Sequence, residues 1–166
     1  MNRRQFLVLT PALLVAGCGF ELRRYDGLPF ASLYLDAPAG SVVAQRLRTL
    51  LTAGGKTRLT ATAAEAEAVL KLSDEARSKT ILSLSGAGRV TEYRLGLRVG
   101  YRVIDRDGRT LAETETIELT RDLTYDDTQR LAKGAEESLL YRDMDESAAM
   151  RILRRLQALR PANGRS

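Results

Sequence analysis

The chain has 166 residues, with one cysteine, no histidine, no tryptophan and a formal charge of +5. A single cysteine cannot form an intrachain disulfide, and without histidine the chain lacks the commonest general base and the commonest metal ligand. This composition argues against a triad hydrolase, a zinc protein and a dithiol redox pair. The length fits one domain, and we expect it to be non-catalytic and to hold no cofactor.

The first 18 residues predict an export signal followed by a lipid anchor. Arg3 and Arg4 precede an apolar run at residues 6–15, which is shorter than the roughly 20 residues of a membrane-spanning helix but suits a signal peptide. The run ends in Leu-Val-Ala-Gly-Cys at residues 14–18, which is similar to a bacterial lipobox. We therefore expect residues 1–17 to be removed and Cys18 to carry covalent lipid that holds the chain on a membrane. The alternative is a buried thiol after a short apolar helix.

The residues around the predicted cleavage site and the charge of the chain bear on the export route and on the kind of partner. The paired arginines fit either the general secretory or the twin-arginine route, and Gly19 after the cysteine favours the outer membrane by resemblance to enteric lipoprotein sorting. Without Arg3 and Arg4 the charge falls from +5 to +3. This mild excess fits an anionic partner, but the chain lacks the aromatic and basic interleaving of a nucleic-acid surface, so we expect no nucleic acid.

Residues 30–85 predict short strands around one helix. A strand is expected at residues 30–36, and a helix that begins after Ser41 as N-cap and stops before Gly54 as its C′ residue. The apolar stripe of this helix consists of Val43, Leu47, Leu50 and Leu51. Further along we expect a β-prone segment at residues 57–62, one helical turn at 62–66, and two separate strands at 69–73 and 78–85.

Residues 89–105 carry the longest alternating pattern in the chain. One side is apolar from Thr91 onward, and the other side holds Arg94, Arg98 and Arg102 with glycines between them. Because side chains of a strand alternate between faces, this pattern predicts a long strand at the centre of an antiparallel sheet with one covered face. The apolar side consists of Thr91, Tyr93, Leu95, Leu97, Val99, Tyr101 and Val103.

A turn at residues 85–88 leads into this strand, and a turn at 105–109 with Gly108 in the left-handed region leads out of it. A three-residue loop at residues 106–108 predicts that the sequence numbers of two residues paired across the hairpin add up to 214. Glu113 and Glu115 then fall on the apolar face, which requires either an uncovered end of the sheet or a bulge. The predicted pairs are Val103 with Leu111, Leu97 with Ile117, Leu95 with Leu119, and Tyr93 with Arg121.

The last element is a helix at residues 128–159, capped by Asp126 or Asp127. Two apolar stripes along it are offset by roughly 60–70° at 100° per residue, so we expect a bend or break at residues 142–145. Residues 161–166 are expected to be a disordered tail. The predicted fold is α+β, with two helices on one face of a mixed or antiparallel sheet built around a long hairpin. The stripes are Leu131, Ala135 and Leu139, then Ala148, Ile152, Leu156 and Leu159.

Several short motifs together resemble the LPS-assembly lipoprotein family (LptE). They are Cys-Gly-Phe-Glu-Leu-Arg at residues 18–23, Arg-Val-Thr-Glu-Tyr at 89–93, Arg121, and the helix from Ala132-Lys133 to Asp143-Met144. Their order and spacing cover nearly the whole mature chain. The resemblance implies that residues 18–160 form a single LptE-like domain.

Members of that family sit as a plug inside an outer-membrane β-barrel, the LPS-assembly protein LptD, and with it place lipopolysaccharide (LPS) in the outer leaflet. The resemblance implies a lipid-anchored protein that faces the periplasm and the barrel lumen, binds LPS and supports the barrel. A family lysine that contributes to LPS binding matches Lys133. A second basic residue of the family falls in the turn at residues 85–88, which is uncharged here, so Arg89 is the candidate. The alternative is a periplasmic lipoprotein that scaffolds another envelope complex.

The arginine row offers further candidates for an acidic ligand. Arg94, Arg98 and Arg102 stand about 13–14 Å apart along one face of the predicted strand. Arginine binds phosphate well because its planar group donates two parallel hydrogen bonds. The row predicts contact with the barrel wall or an acidic glycolipid, against the alternative of a solvated outer face. Gly96 and Gly100 in the row are possible places for close approach of another backbone.

Overall fold

The computed structural model describes residues 27–159, so the predictions about the leader, Cys18 and the tail lie outside the described residues. The strands are β1 (Ser32–Asp36), β2 (Arg58–Leu59), β3 (Ala68–Leu84), β4 (Val90–Asp105) and β5 (Thr110–Thr124). Strands β3, β4 and β5 form an antiparallel meander, and β1 lies parallel to both β2 and β3. The sheet is therefore mixed, in the order β2–β1–β3–β4–β5.

Two helices, α1 (Val42–Gly54) and α2 (Arg130–Ala158), pack on one face of this sheet. The predicted α+β fold is confirmed, and so is a long strand with one covered apolar face, β4, although the middle strand of the mixed sheet is β3. Each fully buried leucine of this core contributes about 1.5–3 kcal/mol by leaving water. The core draws on the sheet and on both helices, including Leu95, Leu97 and Val99 of β4, Val43, Leu47 and Leu51 of α1, and Ile152 and Leu156 of α2.

Strand β3 is one element of 17 residues, so the prediction of two separate strands at 69–73 and 78–85 was wrong. The two halves are joined through a bulge between Ser73 and Ala76, where Asp74 has a φ of 52°. Aspartate tolerates this left-handed conformation better than most residues. The bulge places Glu75 at the start of α1, where its carboxylate accepts hydrogen bonds from the Ser41 hydroxyl and from the Val42 N–H at 3.2 Å.

The ends of α1 agree with the sequence patterns to within one residue. Ser41 caps the helix as predicted, because its hydroxyl accepts a hydrogen bond from the Ala44 N–H at 3.0 Å. The left-handed residue at the other end is Gly55, with φ 66°, and not Gly54. The helix therefore runs one residue further than predicted. The helical turn expected at 62–66 is present as a 3₁₀ turn, Ala63–Glu65.

The register of the β4–β5 hairpin differs from the prediction by two residues over most of its length. Gly108 is left-handed as predicted, and the expected sum of 214 holds beside the turn, where Ile104 pairs with Thr110. Two irregularities between Tyr101 and Ile104 each add a residue to β5, so the sum rises to 216. A register shift of two residues keeps each side chain on the same face of the sheet but changes the residue that lies opposite it. The observed pairs are Leu97 with Leu119, Leu95 with Arg121, and Tyr93 with Leu123.

These bulges explain how Glu115 is tolerated on the apolar face. Glu115 lies opposite Tyr101, whose hydroxyl donates to its carboxylate at 2.7 Å. Arg155 of α2 donates to the same carboxylate from Nε at 2.9 Å. The sequence predicted either a bulge or an uncovered end of the sheet, and the structure shows the bulge together with a polar contact to the helix.

Helix α2 is continuous through residues 142–145, so the predicted break is absent. Ala148, Ile152 and Leu156 of its second stripe are buried and Leu159 is partly buried, but Leu131, Ala135 and Leu139 of the first stripe are exposed. At 1.5 Å per residue α2 is about 44 Å long and α1 about 20 Å, and α1 lies beside the second half of α2, where Arg46 approaches Glu146. The first stripe therefore extends beyond the shorter helix. Neither helix has the length and hydropathy needed to cross a bilayer.

Candidate functional site

Strands β3 and β4 extend well beyond β1, which pairs with β3 only from Ala68 to Lys71. We define the distal end as residues 78–95, 121–125 and 130–140. Helix α2 is fixed to this end by polar contacts with β3. The Tyr141 hydroxyl donates to the Ser78 carbonyl at 2.8 Å, and Lys79 donates to Glu137 at 2.6 Å.

Lys79 is the centre of a cluster that the sequence did not reveal. Its Nζ lies 4.3 Å from the ring centre of Tyr93 and 5.9 Å from that of Tyr125, and the two rings meet edge to face at 5.1 Å. The hydrogen bond to Glu137 raises the pKa of Lys79. These contacts depend on the β3–β4 register, which places Lys79 opposite Leu95 and diagonal to Tyr93 and which alternation alone does not predict. The cluster joins strand and helix at the distal end.

The distal end also holds the exposed large aliphatic side chains of residues 27–159. Leu131 is 93% exposed, although it was predicted to belong to the apolar face of its helix. Monomeric proteins seldom expose apolar groups together unless the surface binds a partner or a ligand. The five side chains are Ile81, Leu82 and Leu84 of β3, with Leu131 and Leu139 of α2.

Lys133, the candidate carried over from the family, lies in the first turn of α2. Its side chain is only 17% exposed, and its Nζ donates to Glu136 at 2.9 Å. Asp126 lies nearby; hydrogen bonds from Thr128 lower the pKa of this carboxyl, and the charge of Lys133 contributes in the same direction. An anionic ligand would therefore compete with Glu136 for this lysine.

Arg89 follows the turn at residues 85–88 and belongs to the same distal end as Lys133. Its carbonyl accepts from the Ser85 N–H at 2.7 Å, and Gly88 before it has a φ of 74°. Its side chain is exposed and has no ionic partner among the residues that the structure describes. The Tyr125 N–H donates to the Thr91 carbonyl at 2.8 Å, which places the start of β4 beside the segment leading to α2. The structure thus brings both family candidates to one end of the sheet.

The arginine row lies on the face of the sheet opposite the helices, and two of its three members are paired. Arg94 donates to both carboxylate oxygens of Asp122, at 2.8 and 3.0 Å, and holds the pKa of that carboxyl below its ordinary value. Arg98 approaches Glu118 at 3.8 Å. Only Arg102 has no ionic partner in the described part of the chain. The predicted basic face is therefore largely charge-balanced by acidic residues of β5.

The glycines in this row have a local explanation. The place of a side chain at Gly96 is occupied by the Ser78 hydroxyl, and at Gly100 the Ser73 hydroxyl lies 2.7 Å from the position of a Cβ. Hydroxyl groups of β3 therefore fill the space over both glycines. A neighbouring strand of this chain accounts for them without the approach of another molecule.

Comparison with known proteins identifies the family. The family model described as LptE: Lipopolysaccharide-assembly matches residues 29–156, which span the five strands and nearly all of both helices. The chain belongs to the LptE family. The LPS-assembly lipoprotein LptE of Photorhabdus laumondii is 32% identical over 154 residues, which cover 90% of this chain and 83% of that protein.

Solved structures of bacterial lipoproteins share the fold of this LptE-family chain. Uncharacterized lipoprotein B from Nitrosomonas europaea has a TM-score of 0.74 and 40% identity over 84% of this chain and 91% of its own. Rare lipoprotein B from Shewanella oneidensis has a TM-score of 0.65 and 30% identity over 74% of this chain and 91% of its own. The family resemblance read from the short motifs is therefore confirmed, and with it a place in LPS assembly.

Proposed function

We propose that this LptE-family chain is a non-catalytic outer-membrane lipoprotein that plugs and supports the LPS-assembly β-barrel, LptD, and binds LPS during its insertion into the outer leaflet. It is anchored through acylated Cys18, faces the periplasm and occupies the barrel lumen. The observation that carries this proposal is the family match over residues 29–156. The exposed aliphatic side chains of the distal end support it, because they need a cover that residues 27–159 do not provide.

The proposed assembly is tested by purification of the full-length chain from membranes in mild detergent. We expect a heat-modifiable outer-membrane β-barrel to be recovered with it in about equal amounts, since a plug must remain with its barrel. A Cys18→Ala variant is the matched control, because it keeps the folded domain and lacks the anchor. Recovery of another envelope complex without a barrel would instead favour a scaffolding lipoprotein.

The proposed LPS site depends on the ion pair between Lys133 and Glu136. LPS carries phosphates, and phosphate oxygens form charge-assisted hydrogen bonds with lysine and arginine. Binding requires Lys133 to exchange a carboxylate of its own helix for a phosphate of the ligand. Arg89 has no such competitor among the described residues, so it adds to the site without first breaking a contact.

We expect Glu136→Gln to strengthen LPS retention and Lys133→Glu, with or without Arg89→Glu, to weaken it. Each change should alter retention by up to about fivefold at low salt, the scale of one exposed ion pair, and the effect should fade at high salt. Retention on immobilised LPS measures this. Arg58→Glu in β2 is the control, since it makes the same charge change away from the distal end. Equal retention by Glu136→Gln and the unmodified chain would remove Lys133 from the site.

A further inference from the structure

The sheet has two long open edges. On one side β5 pairs only with β4 along its 15 residues. On the other side β3 loses its neighbour after Lys71, so no strand within residues 27–159 lies on that side of its second half, where the Ser78 carbonyl accepts a hydrogen bond from Tyr141 of α2. An open edge presents unpaired backbone N–H and C=O groups that can bind another strand.

The two edges differ in how they are protected. Proteins commonly protect an open edge with charged side chains, and β5 carries many: Glu113, Glu115, Glu118, Arg121 and Asp122. The open part of β3 carries Asp74, Glu75 and Arg77 near its start, but its last seven residues, Ser-Lys-Thr-Ile-Leu-Ser-Leu at 78–84, hold one charge. That charge, Lys79, is bound to Glu137 and packed over Tyr93. Residues 78–84 therefore carry one charged side chain, against five on β5.

The same segment exposes its aliphatic side chains. Ile81, Leu82 and Leu84 are all solvent-accessible, although residues of this kind in a finished sheet are usually covered. On α2, Leu131 and Leu139 are also exposed, because α1 begins only at the level of Glu75 and does not extend over them. Missing backbone partners and missing side-chain cover thus coincide at one segment.

We propose that residues 78–84 are a pairing edge, to which an extended, uncharged segment of the assembly partner adds as a sixth strand. This inference rests on the proposed function, because it assumes a partner protein. A strand fits the edge better than an acyl chain does, since only a polypeptide supplies hydrogen bonds to the row of backbone groups. Aliphatic residues on the added strand would cover Ile81 and Leu82 and would meet no charge that repels them.

The pairing edge is tested with a photo-crosslinking amino acid in the full-length chain in intact outer membranes. We expect positions 80 and 82 to capture the β-barrel protein and position 120, on the protected edge of β5, to capture none. In parallel, Leu82→Lys should lower recovery of the barrel about tenfold, because a charged side chain on an open edge disfavours pairing with another strand. Thr120→Lys is the matched control. All three residues are exposed, so the urea midpoints of both variants should equal that of the unmodified chain.

Capture of LPS or of a second copy of the chain from positions 80 and 82 would overturn the pairing edge. So would unchanged recovery of the barrel with Leu82→Lys. The two proposals fail in different ways. If the unmodified chain recovers no barrel, the proposed function fails and the pairing edge with it. If the barrel is recovered but positions 80 and 82 do not capture it, the pairing edge alone fails.

Discussion

Replacing Arg77 by methionine should lower the free energy of unfolding by about 2–3 kcal/mol. Arg77 donates to Asp145 at 2.8 Å, and the Asp145 side chain is 1% exposed. Its other oxygen, Oδ1, has no hydrogen-bond partner among the described residues. Removing one member of a buried pair costs about 3–5 kcal/mol, and we expect less because the Arg77 side chain is 41% exposed. Urea denaturation at pH 7 measures the difference.

The loss should shrink as the pH is lowered. Burial raises the pKa of Asp145, and Arg77 opposes that shift, so the pKa rises further when Arg77 is removed. A carboxyl with a raised pKa in the folded state binds its proton more readily there than in the unfolded chain. Stability therefore falls as the pH rises through that pKa and is regained on acidification. The deficit of Arg77→Met should be smaller at pH 4 than at pH 7.

Two further variants test this assignment. Arg77→Met combined with Asp145→Leu should recover most of the lost stability, because no buried charge remains without a partner. Arg94→Met, which removes an exposed arginine from its ion pair on the same sheet, should leave stability nearly unchanged. A deficit that stays constant between pH 4 and pH 7 would show that Asp145 is not the group responsible.

Leu156→Ala should lower the free energy of unfolding by about 2–5 kcal/mol, whereas Leu131→Ala should change it by less than about 0.5 kcal/mol. Both leucines belong to apolar stripes of α2, but Leu156 is fully buried and Leu131 is almost fully exposed. Truncation of Leu156 leaves a cavity in the core, and truncation of Leu131 leaves none. Urea denaturation of the two variants under identical conditions provides the comparison.

This pair of variants also separates the roles of the two halves of α2. If Leu131 belongs to a surface for a partner, Leu131→Ala should weaken barrel recovery while stability is retained. Leu139→Ala, on the same stripe, is the companion variant. Equal destabilisation by Leu131→Ala and Leu156→Ala would mean that the first half of the helix is packed in the folded protein after all.

Alternation and capping predicted the elements because these patterns depend on short stretches of chain. The long strand β4, the Ser41 cap and the left-handed Gly108 all follow from local periodicity or backbone freedom. Register depends on where extra residues enter a strand. The two bulges near Ala112 leave no local signal, so the expected pairing of Leu97 with Ile117 was two residues away from the observed one. The bulge at Asp74 also leaves no local signal, so the sequence predicted two strands where β3 is one.

The sequence predicted basic residues for the candidate site but not the acidic residues that pair with them. The family motif placed Lys133 at the start of the last helix, but its ion pair with Glu136 appears only once the side chains are placed. The sequence does not show that Arg94 is ion-paired, because its partner, Asp122, is 28 residues away. The apolar stripe predicted a covered Leu131, because a stripe does not reveal how far a neighbouring helix extends.

The capping of α1 by Glu75 has a consequence for synthesis of the chain. The first turn of this helix is completed by a carboxylate 33 positions beyond Val42, carried on the bulge of β3. While the chain emerges in order, that turn lacks this partner until the strand has followed. An isolated helix of 13 residues is marginal in water. The helix and the bulge should therefore become ordered together, and a chain that terminates before Glu75 should retain little helix.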